Sequence, residues 1–592
     1  MKLSSYVIRF LVERGVSHVF GMSGGAAVHL LDSVSKEDGI DFICSQHEQS
    51  AAISADGYAR TTGKLGVAIT TSGPGATNLL TGTCCSYYDS VPTLMLTGQV
   101  ASHRLKGDRD IRQLGFQETD VVSIFGTVTK YAIQLERPEH IRYCLEKAYH
   151  MAFEGRPGSV LIDIPDDFQR AEINPNDLIG FEPVTEEPVQ INGKLEAMLG
   201  ALAEAKRPVL VLGGGLKTPD IGLEVAELVE LLDIPVVTSW AGVDLLPHDH
   251  SLNYGSFGVY GRRVGNYIIQ NADFILCLGT RLSQNLTGGI LASFARQATI
   301  AMIDASIGEM NKFDGKGIEI AHRINCRLDR AVPELVRLVQ PMGTAPENSW
   351  KSKISQWVSN FSSENYDPEP SESYVNAYAF VDALSNVVPE NENIFVDTGG
   401  NLTWTCNGFK FKSGQRLYSA WNNTPMGYAL PAAIGAAAAA PEKSVSCIIG
   451  DGGLMICLAE LATVVKHNFN IKVFLFNNHG HGIQKQTLET WLESNYVGVH
   501  EPSGLAFTDF FAVAKAMGLD AVTIDGSSDL SAELEKVYLS DGPIFVNVEI
   551  NPDQRLFPVL KFGAALENQL PALSTEVINE NMIVEPFLPT EK

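Results

Sequence analysis

Apolar runs of strand length, each closed by glycine, proline or a polar cluster and each followed by a helical stretch, recur along almost the whole chain. They are VAITTS (67–72), TLMLTG (93–98), SVLIDIP (159–165), PVLVLGGG (208–215), FILCLG (274–279), CIIGDGG (447–453), KVFLFNN (472–478) and PIFVNVEI (543–550). A strand that is apolar on both faces must be covered on both faces. Parallel sheets whose crossover helices lie on either side achieve this, so the fold class is α/β, in several doubly wound, mostly parallel-sheet domains. The length of 592 residues calls for more than one such unit. Polar, proline-bearing breaks at 170–192 and 341–375 place the boundaries. The expected order is a first domain over 1–175, a central domain over 190–340, a linker over 341–375 with a short amphipathic helix around Trp350 to Phe361, a third domain over 376–550, and a polar tail over 551–592. The small-residue run AAIGAAAAA (432–440) suits a helix packed at close range.

The formal charge of −25 argues against nucleic acid or an anionic membrane surface as a partner, although a local site can still take an anionic substrate. The first residues, MKLSSYVIRFLVERGV, are interrupted by Arg9, Glu13 and Arg14 and do not read as a signal peptide. No apolar stretch is long and charge-free enough to span a bilayer, and the cytoplasm is the expected compartment. Nine cysteines without a C-x-x-C pair read as reduced thiols, most of them in the core.

Asp451 follows an apolar strand, flanked by Gly450, Gly452 and Gly453, and the next strand ends on Asn477 and Asn478. One helical stretch and one strand bring Asp451 and Asn478 to the same carboxyl edge of a sheet, where α/β proteins bind ligands. Carboxylate, amide and carbonyl oxygens together suit Mg²⁺ holding a polyphosphate, with glycines and a helix N-terminus open to the phosphates. A G-D-G turn or an Asn-rich strand end is common alone; the pairing at this separation is what points to a site.

The stretch resembles the thiamin-diphosphate binding motif, which opens on G-D-G and closes on N-N. The resemblance implies Mg²⁺ on Asp451, Asn478 and the carbonyl of Gly480. A second match is QHEQSAAISADGYAR (46–60) followed by TTSGPGATNLLTG (70–82), which carries Gly75 and Asn78. In this position the family's glutamate hydrogen-bonds the cofactor's aminopyrimidine and promotes loss of its C2 proton, a role that falls on Glu48. A third is TPMGYALPAAIG (424–435), preceded by VDTGGN (396–401). Here Met426 would wedge the cofactor into its bent shape, and the carbonyl of Thr424 would accept from its amine.

Over nearly the whole chain the sequence is similar to acetohydroxyacid synthases, pyruvate oxidase-like enzymes and related pyruvate-using carboligases. The matching segments are VFGMSGGA (19–26), with Gly25, GFQETD (115–120), with Gln117, GRPGSVLIDIPDD (155–167), NYGSFGVYG (253–261) and LGTRLSQNLTGG (278–289). The central segment implies an FAD site at Gly213, Gly214, Gly215, Arg281 and Asp304, with a flavin that takes no redox part in the main reaction. Simple decarboxylases carry an acid in the first loop, a His pair further on and a Glu after N-N. This chain has Gly25, a single His103 and Gln484, which favours carbon–carbon bond formation over aldehyde release.

Acetohydroxyacid synthases carry an arginine where this chain has Asn285, and a tryptophan where it has Thr487. Loss of a charge-assisted fork and of an indole, with Gln484 nearby, implies a larger acceptor pocket of different charge. The tail DQRLFPVLKFGAALENQLP (553–571) resembles those of flavin-containing, ketone-accepting carboligases of yersiniose-type branched-chain sugar biosynthesis. The expected activity is therefore decarboxylation of pyruvate and transfer of its acetyl unit to a ketone or aldehyde, such as a nucleotide-linked keto-sugar. Acetolactate synthesis and an oxidase-like flavoenzyme stand as alternatives. Glu48 and Gln117 would act on substrate or cofactor, although Gln117 reads equally well as structural, and the roles of His29, His479 and His481 stay open. A site shared between subunits implies a homodimer or homotetramer.

Overall fold

The computed structural model describes residues 1–184, 190–217, 221–339, 348–361, 371–561 and 563–587. Parts of the two predicted breaks, 185–189, 340–347 and 362–370, lie outside the described residues. Eighteen of the described strands form three six-stranded sheets, every pairing within them parallel, and Val559–Leu560 and Gln569–Leu570 make a separate antiparallel pair. The first contains β1 (His18–Gly21), β2 (Asp41–Cys44), β3 (Gly66–Thr70), β4 (Thr93–Gln99), β5 (Tyr131–Gln134) and β6 (Val160–Pro165). The second contains β7 (Pro208–Leu212), β8 (Val236–Thr238), β9 (Asn253–Ser256), β10 (Phe274–Leu278), β11 (Thr299–Asp304) and β12 (Ile320–Asn325). The third contains β13 (Asn393–Val396), β14 (Arg416–Tyr418), β15 (Val445–Gly450), β16 (Ile471–Asn477), β17 (Asp520–Ile524) and β18 (Ile544–Glu549).

The outer two sheets share one topology, β2-β1-β3-β4-β6-β5 and β14-β13-β15-β16-β18-β17. The central sheet runs β9-β8-β7-β10-β11-β12, which is the 3-2-1-4-5-6 order of dinucleotide-binding folds. In both arrangements the chain runs first to one edge and then crosses back over its first strand to the other side. The crevice outside the strand ends at that point, between β13 and β15 in the third sheet and between β7 and β10 in the central one, is where such folds take ligands.

The predicted close-packing helix is α18 in chain order, Ala429–Ala439, hereafter the alanine helix, and its partner is the first-domain helix Glu48–Thr62. A Cβ on Gly57 would lie 2.1 Å from the Ala432 carbonyl oxygen, and one on Gly435 would lie 2.0 Å from that of Ser54. The two backbones therefore touch where one partner in each contact is glycine, locking the first domain to the third. Ser54 Oγ donates to Pro431 O (2.8 Å) and Tyr428 donates to Asp56 (2.6 Å) across the same contact.

Two sequence expectations need correction. Within the stretch read as linker, the helix Asn348–Phe361 belongs to the central domain: Trp350 and Trp357 are buried, and Trp350 Nε1 donates to Pro208 O (3.2 Å) at the start of β7. The stretch from 551 is not a solvent tail. Leu556, Leu566, Glu567, Gln569, Ile578 and Val584 are buried. Glu567 accepts from Gln270 and from Arg296, Asn271 Oδ1 accepts from Ile583 N (2.6 Å) and Val584 N (2.9 Å), and Trp357 Nε1 donates to Asn581 O (3.0 Å). Polar residues that look solvated in the sequence are hydrogen-bond partners for polar groups buried in the central domain, because a buried donor left unmatched is costly.

The cysteines are all free; seven are buried, Cys84 is partly buried and Cys44 is exposed. Among the described residues no helix is long and apolar enough to cross a membrane.

Candidate active site

The third domain gathers the predicted metal and diphosphate residues at one sheet edge. β15 and β16 pair in register through Gly450 and Phe476, so Asp451 and Asn478, just beyond, emerge side by side. Asp451 starts the helix Asp451–Cys457, where a carboxylate is favoured by the helix dipole. Its Oδ1 accepts from Gly452 N (2.6 Å) and its Oδ2 from Gly480 N (3.0 Å). Burial pushes this carboxyl up to about 7, against the relief of those two N–H groups. Asn478 is buried, its amide against Gly482, and the Gly480 carbonyl accepts from Gly482 N (3.0 Å) while keeping a second lone pair. A buried carboxylate short of counter-charge, beside an amide and a carbonyl, is a hard oxygen set that fits Mg²⁺.

Gly452 is glycine for a spatial reason: a Cβ there would lie 2.5 Å from His481 Nε2 and 2.8 Å from Met426 Cε. Met426 and His481 thus converge over the G-D-G turn. Thr424, two residues before it, has φ 45°, an unusual backbone for a β-branched residue. The next residue after the wedge, Gly427, donates its N–H to Asp397 Oδ2 (2.8 Å). Asp397, just past β13, is buried, and burial pushes it up to about 7 against several backbone N–H groups. His479 lies to one side, hydrogen-bonded to Glu549 (2.8 Å), which raises its pKa.

The first domain supplies a second cluster. Glu48 opens its helix and accepts from Asn78 Nδ2 (2.9 Å), while a Cβ on Gly75 would lie 3.5 Å from its Oε1. Gln117, at φ 62°, packs on the same loop from the other side, its Cβ 3.0 Å from the Cβ position of Gly73. Glu48 is only half-buried, and Phe116 beside Gln117 is 86% exposed. The loop at Gly25 is also open, with no atom within 4 Å of a Cβ there. Glu460 of the third domain holds the strand-to-helix turn before Glu48 by accepting from Gln46 N (2.9 Å).

A cavity of about 570 Å³ opens at the crevice of the central sheet and reaches all three domains. Gly214, Gly215, Arg281, Asp304 and Asn285 line it, as do Trp240, Tyr418 and Trp421. Gly213 is not a wall residue; it packs on the β10 end, where a Cβ would lie 2.3 Å from Gly279 O. Arg281 and Arg156 both reach Glu309, at 3.3 and 3.2 Å. Lys217, buried against Asp244 (2.8 Å), adds a cation whose pKa burial lowers.

Family models agree with this geometry domain by domain. Residues 1–124 match the thiamine pyrophosphate enzyme N-terminal TPP binding domain, 195–330 the central domain, and 397–548 the C-terminal TPP binding domain. The chain belongs to the thiamine pyrophosphate enzymes. It is 32% identical to a probable acetolactate synthase large subunit of Methanococcus aeolicus, over 98% of this chain and 96% of that one. It is 32% identical to the acetolactate synthase large subunit of Lactococcus lactis, over 95% and 94% of the two chains. The acetolactate synthase isozyme 1 large subunit of Escherichia coli is 30% identical, over 98% and 97%.

Against the family pattern, the residues predicted for an acceptor pocket fall in two places. Asn285 is at the wall of the central cavity, while Gln484 and Thr487 sit on the helix Gly482–Trp491 after the metal motif, Thr487 donating to Ile483 O (2.9 Å). Residues 556–560 run between them: Leu556 and Gln486 exchange two hydrogen bonds, and Leu560 N donates to Val259, whose own N–H donates to Asn285 O. His29 faces Asp166 at 3.7 Å and has no part in either cluster. Sequence reasoning missed Asp397 and Glu460. Asp397 could have been found from its place in VDTGGN at a strand end; Glu460 carries no local signal.

Proposed function

We propose that the protein is a thiamin-diphosphate- and Mg²⁺-dependent carboligase of acetolactate-synthase type, which decarboxylates pyruvate and joins the remaining two-carbon unit to a carbonyl acceptor. The observation that carries this is the convergence of Asp451, Asn478, Gly480, Gly452 and Met426 at one crevice, in a chain similar over nearly its full length to acetolactate synthase large subunits. Bound thiamin diphosphate supplies a carbon nucleophile and an electron sink for the carboxylate's electrons. The chain's residues do the rest. Asp451, Asn478 and the Gly480 carbonyl would hold the metal, the backbone N–H groups of the G-D-G turn would be open to the diphosphate, Met426 would shape the pocket, and Glu48 would hold or release the proton that the aminopyrimidine ring exchanges.

Glu48 and Asp451 make separate contacts in one chain, and each cluster opens beside exposed apolar residues: Phe116 and Leu114 near the first, Met455 and Ile456 near the second. This supports a site completed by a second copy, the first domain of one protomer facing the third domain of the other, in a homodimer or a tetramer built from it. The central cavity suits FAD. It lies at the crevice of a dinucleotide-type sheet, with arginines for a diphosphate, Asp304 at a strand end for a ribose, and aromatic walls for a planar ring. A structural rather than redox flavin follows from the carboligase reading.

The relatives favour acetolactate as product. Asn285 and Thr487 support a second reading, in which a larger, uncharged or differently charged carbonyl compound such as a nucleotide-linked keto-sugar is the acceptor. Supplying pyruvate, Mg²⁺ and thiamin diphosphate with pyruvate alone, 2-ketobutyrate, simple ketones and nucleotide 4-keto-sugars separates the two. Efficient, exclusive acetolactate formation supports the first reading and removes the second. Pyruvate-driven flavin bleaching with stoichiometric peroxide would replace both with an oxidase.

A further inference from the structure

The segment from β14 to the alanine helix, residues 417–427, has one end in the central cavity and the other in the thiamin-diphosphate crevice. At the cavity end Tyr418, Trp421 and Asn422 are wall residues. At the crevice end Met426 lies against Gly452 and Gly427 is bonded to Asp397. The cavity end is gripped by residues from the other two domains. From the central domain, Lys217 Nζ donates to Leu417 O (2.6 Å) and Arg281 donates to Asn422 Oδ1. From the first domain, Asp89 accepts from Trp421 N (2.8 Å), Asn422 N (3.1 Å), Asn422 Nδ2 (2.6 Å) and Arg60 (2.8 Å). Lys217, Arg281 and Asp89 themselves line the cavity.

Asn422 is where these links meet, its oxygen on the central domain and its nitrogens on the first. Only Asn423, Thr424 and Pro425 separate it from Met426. That connection is stiff: Thr424 sits at φ 45° and the Pro425 ring fixes its own φ. A β-branched residue stays in the left-handed region only while its surroundings hold it there; the Asn422 contacts, Asn423 Nδ2 on Thr81 O (3.4 Å) and Thr424 N on Ala420 O (3.2 Å) hold it on one side, and the Gly427–Asp397 bond on the other. A shift of Asn422 therefore passes to Met426 instead of being absorbed.

We infer that Asn422 is a positioning residue that couples the occupant of the central cavity to the segment shaping the thiamin-diphosphate pocket, so that each ligand tightens the other. The inference rests on the reading of the cavity as a flavin site. It gives a non-redox flavin a task, because an occupant that engages Arg281 fixes the three-domain junction from which Met426 is hung.

Coupling of this kind is a ratio of affinities and is reciprocal. The test is calorimetric titration of the full-length protein with thiamin diphosphate in excess Mg²⁺, once stripped of FAD and once saturated with it. FAD binding is followed separately by quenching of flavin fluorescence. We expect FAD to tighten thiamin diphosphate about fivefold or more, and Asn422→Ala to bring that ratio to within about twofold of unity. Asn422 is exposed, so its truncation leaves the core intact; Asn422→Asp, which keeps an oxygen for Arg281 but repels Asp89, should weaken coupling as well. If FAD binds and the thiamin-diphosphate affinity does not change, the inference is overturned and the flavin reading stands. If coupling survives in both variants, the route through Asn422 is overturned. If FAD does not bind at all, the flavin reading fails and takes the inference with it.

Discussion

At Gly452 one hydrogen atom does the work of a design constraint. The space a methyl group would take is held by His481 and Met426, so Gly452→Ala displaces the pocket-shaping side chain while leaving the sheet intact. We expect thiamin-diphosphate affinity to fall roughly tenfold or more, the equivalent of about 1.4 kcal/mol, with an unchanged far-ultraviolet circular dichroism spectrum. Glu48→Gln keeps the hydrogen bond geometry with Asn78 and removes the proton exchange. Turnover with pyruvate should fall by about 10² to 10⁴ while the cofactor still binds; parental turnover would refute the role of Glu48. Residues of this kind were legible in the sequence because their partners are neighbours along the chain or stand in a fixed motif. Asp397 carries one signal, its strand-end place in VDTGGN, but its N–H partner at Gly427 is brought to it only by the fold. Asn422 carries none, its partners being Asp89 and Arg281.

Between elements, the strands read directly from the sequence because burial on both faces leaves continuous apolar runs, and the alanine helix read correctly as a close-packing surface. What it packs against was not legible. The partner helix Glu48–Thr62 looks like an ordinary polar-and-small stretch until Gly57 is seen to meet the Ala432 carbonyl. Gly57→Ala should force the two helices apart and lower stability by about 1–3 kcal/mol, measured by denaturant unfolding. Because Glu48 opens that helix, activity should drop more than the folded fraction does. A variant as stable and active as the parent would mean that the contact is looser than its geometry. The helix Asn348–Phe361 and the segment from 551 were misassigned for a single cause: amphipathic and polar composition says that a face must be satisfied, and does not say whether water or another domain satisfies it.

Across the whole molecule, three sheets are held by contacts distant in sequence, and residues 567–587 hold the middle one. Glu567 is fully buried and reaches Arg296 (2.9 Å) and Phe587 N (2.9 Å). Removing one partner of a buried ion pair strands the other, so Glu567→Ala should destabilise by about 3 kcal/mol, seen as a lower thermal midpoint and faster tryptic cleavage within the central domain. The assembly reading makes its own prediction: light scattering of the active protein should give a dimer or larger species, and a fully active monomer would break the two-copy site. The final strap also bears on how the chain is made. Gln270 and Asn271 leave the ribosome some three hundred residues before the partners that quench them, so the middle domain cannot finish folding in the order in which it is synthesised. Synthesis must pass residue 584 before that domain closes, which makes the nascent central sheet the stage at which a chaperone has most to protect.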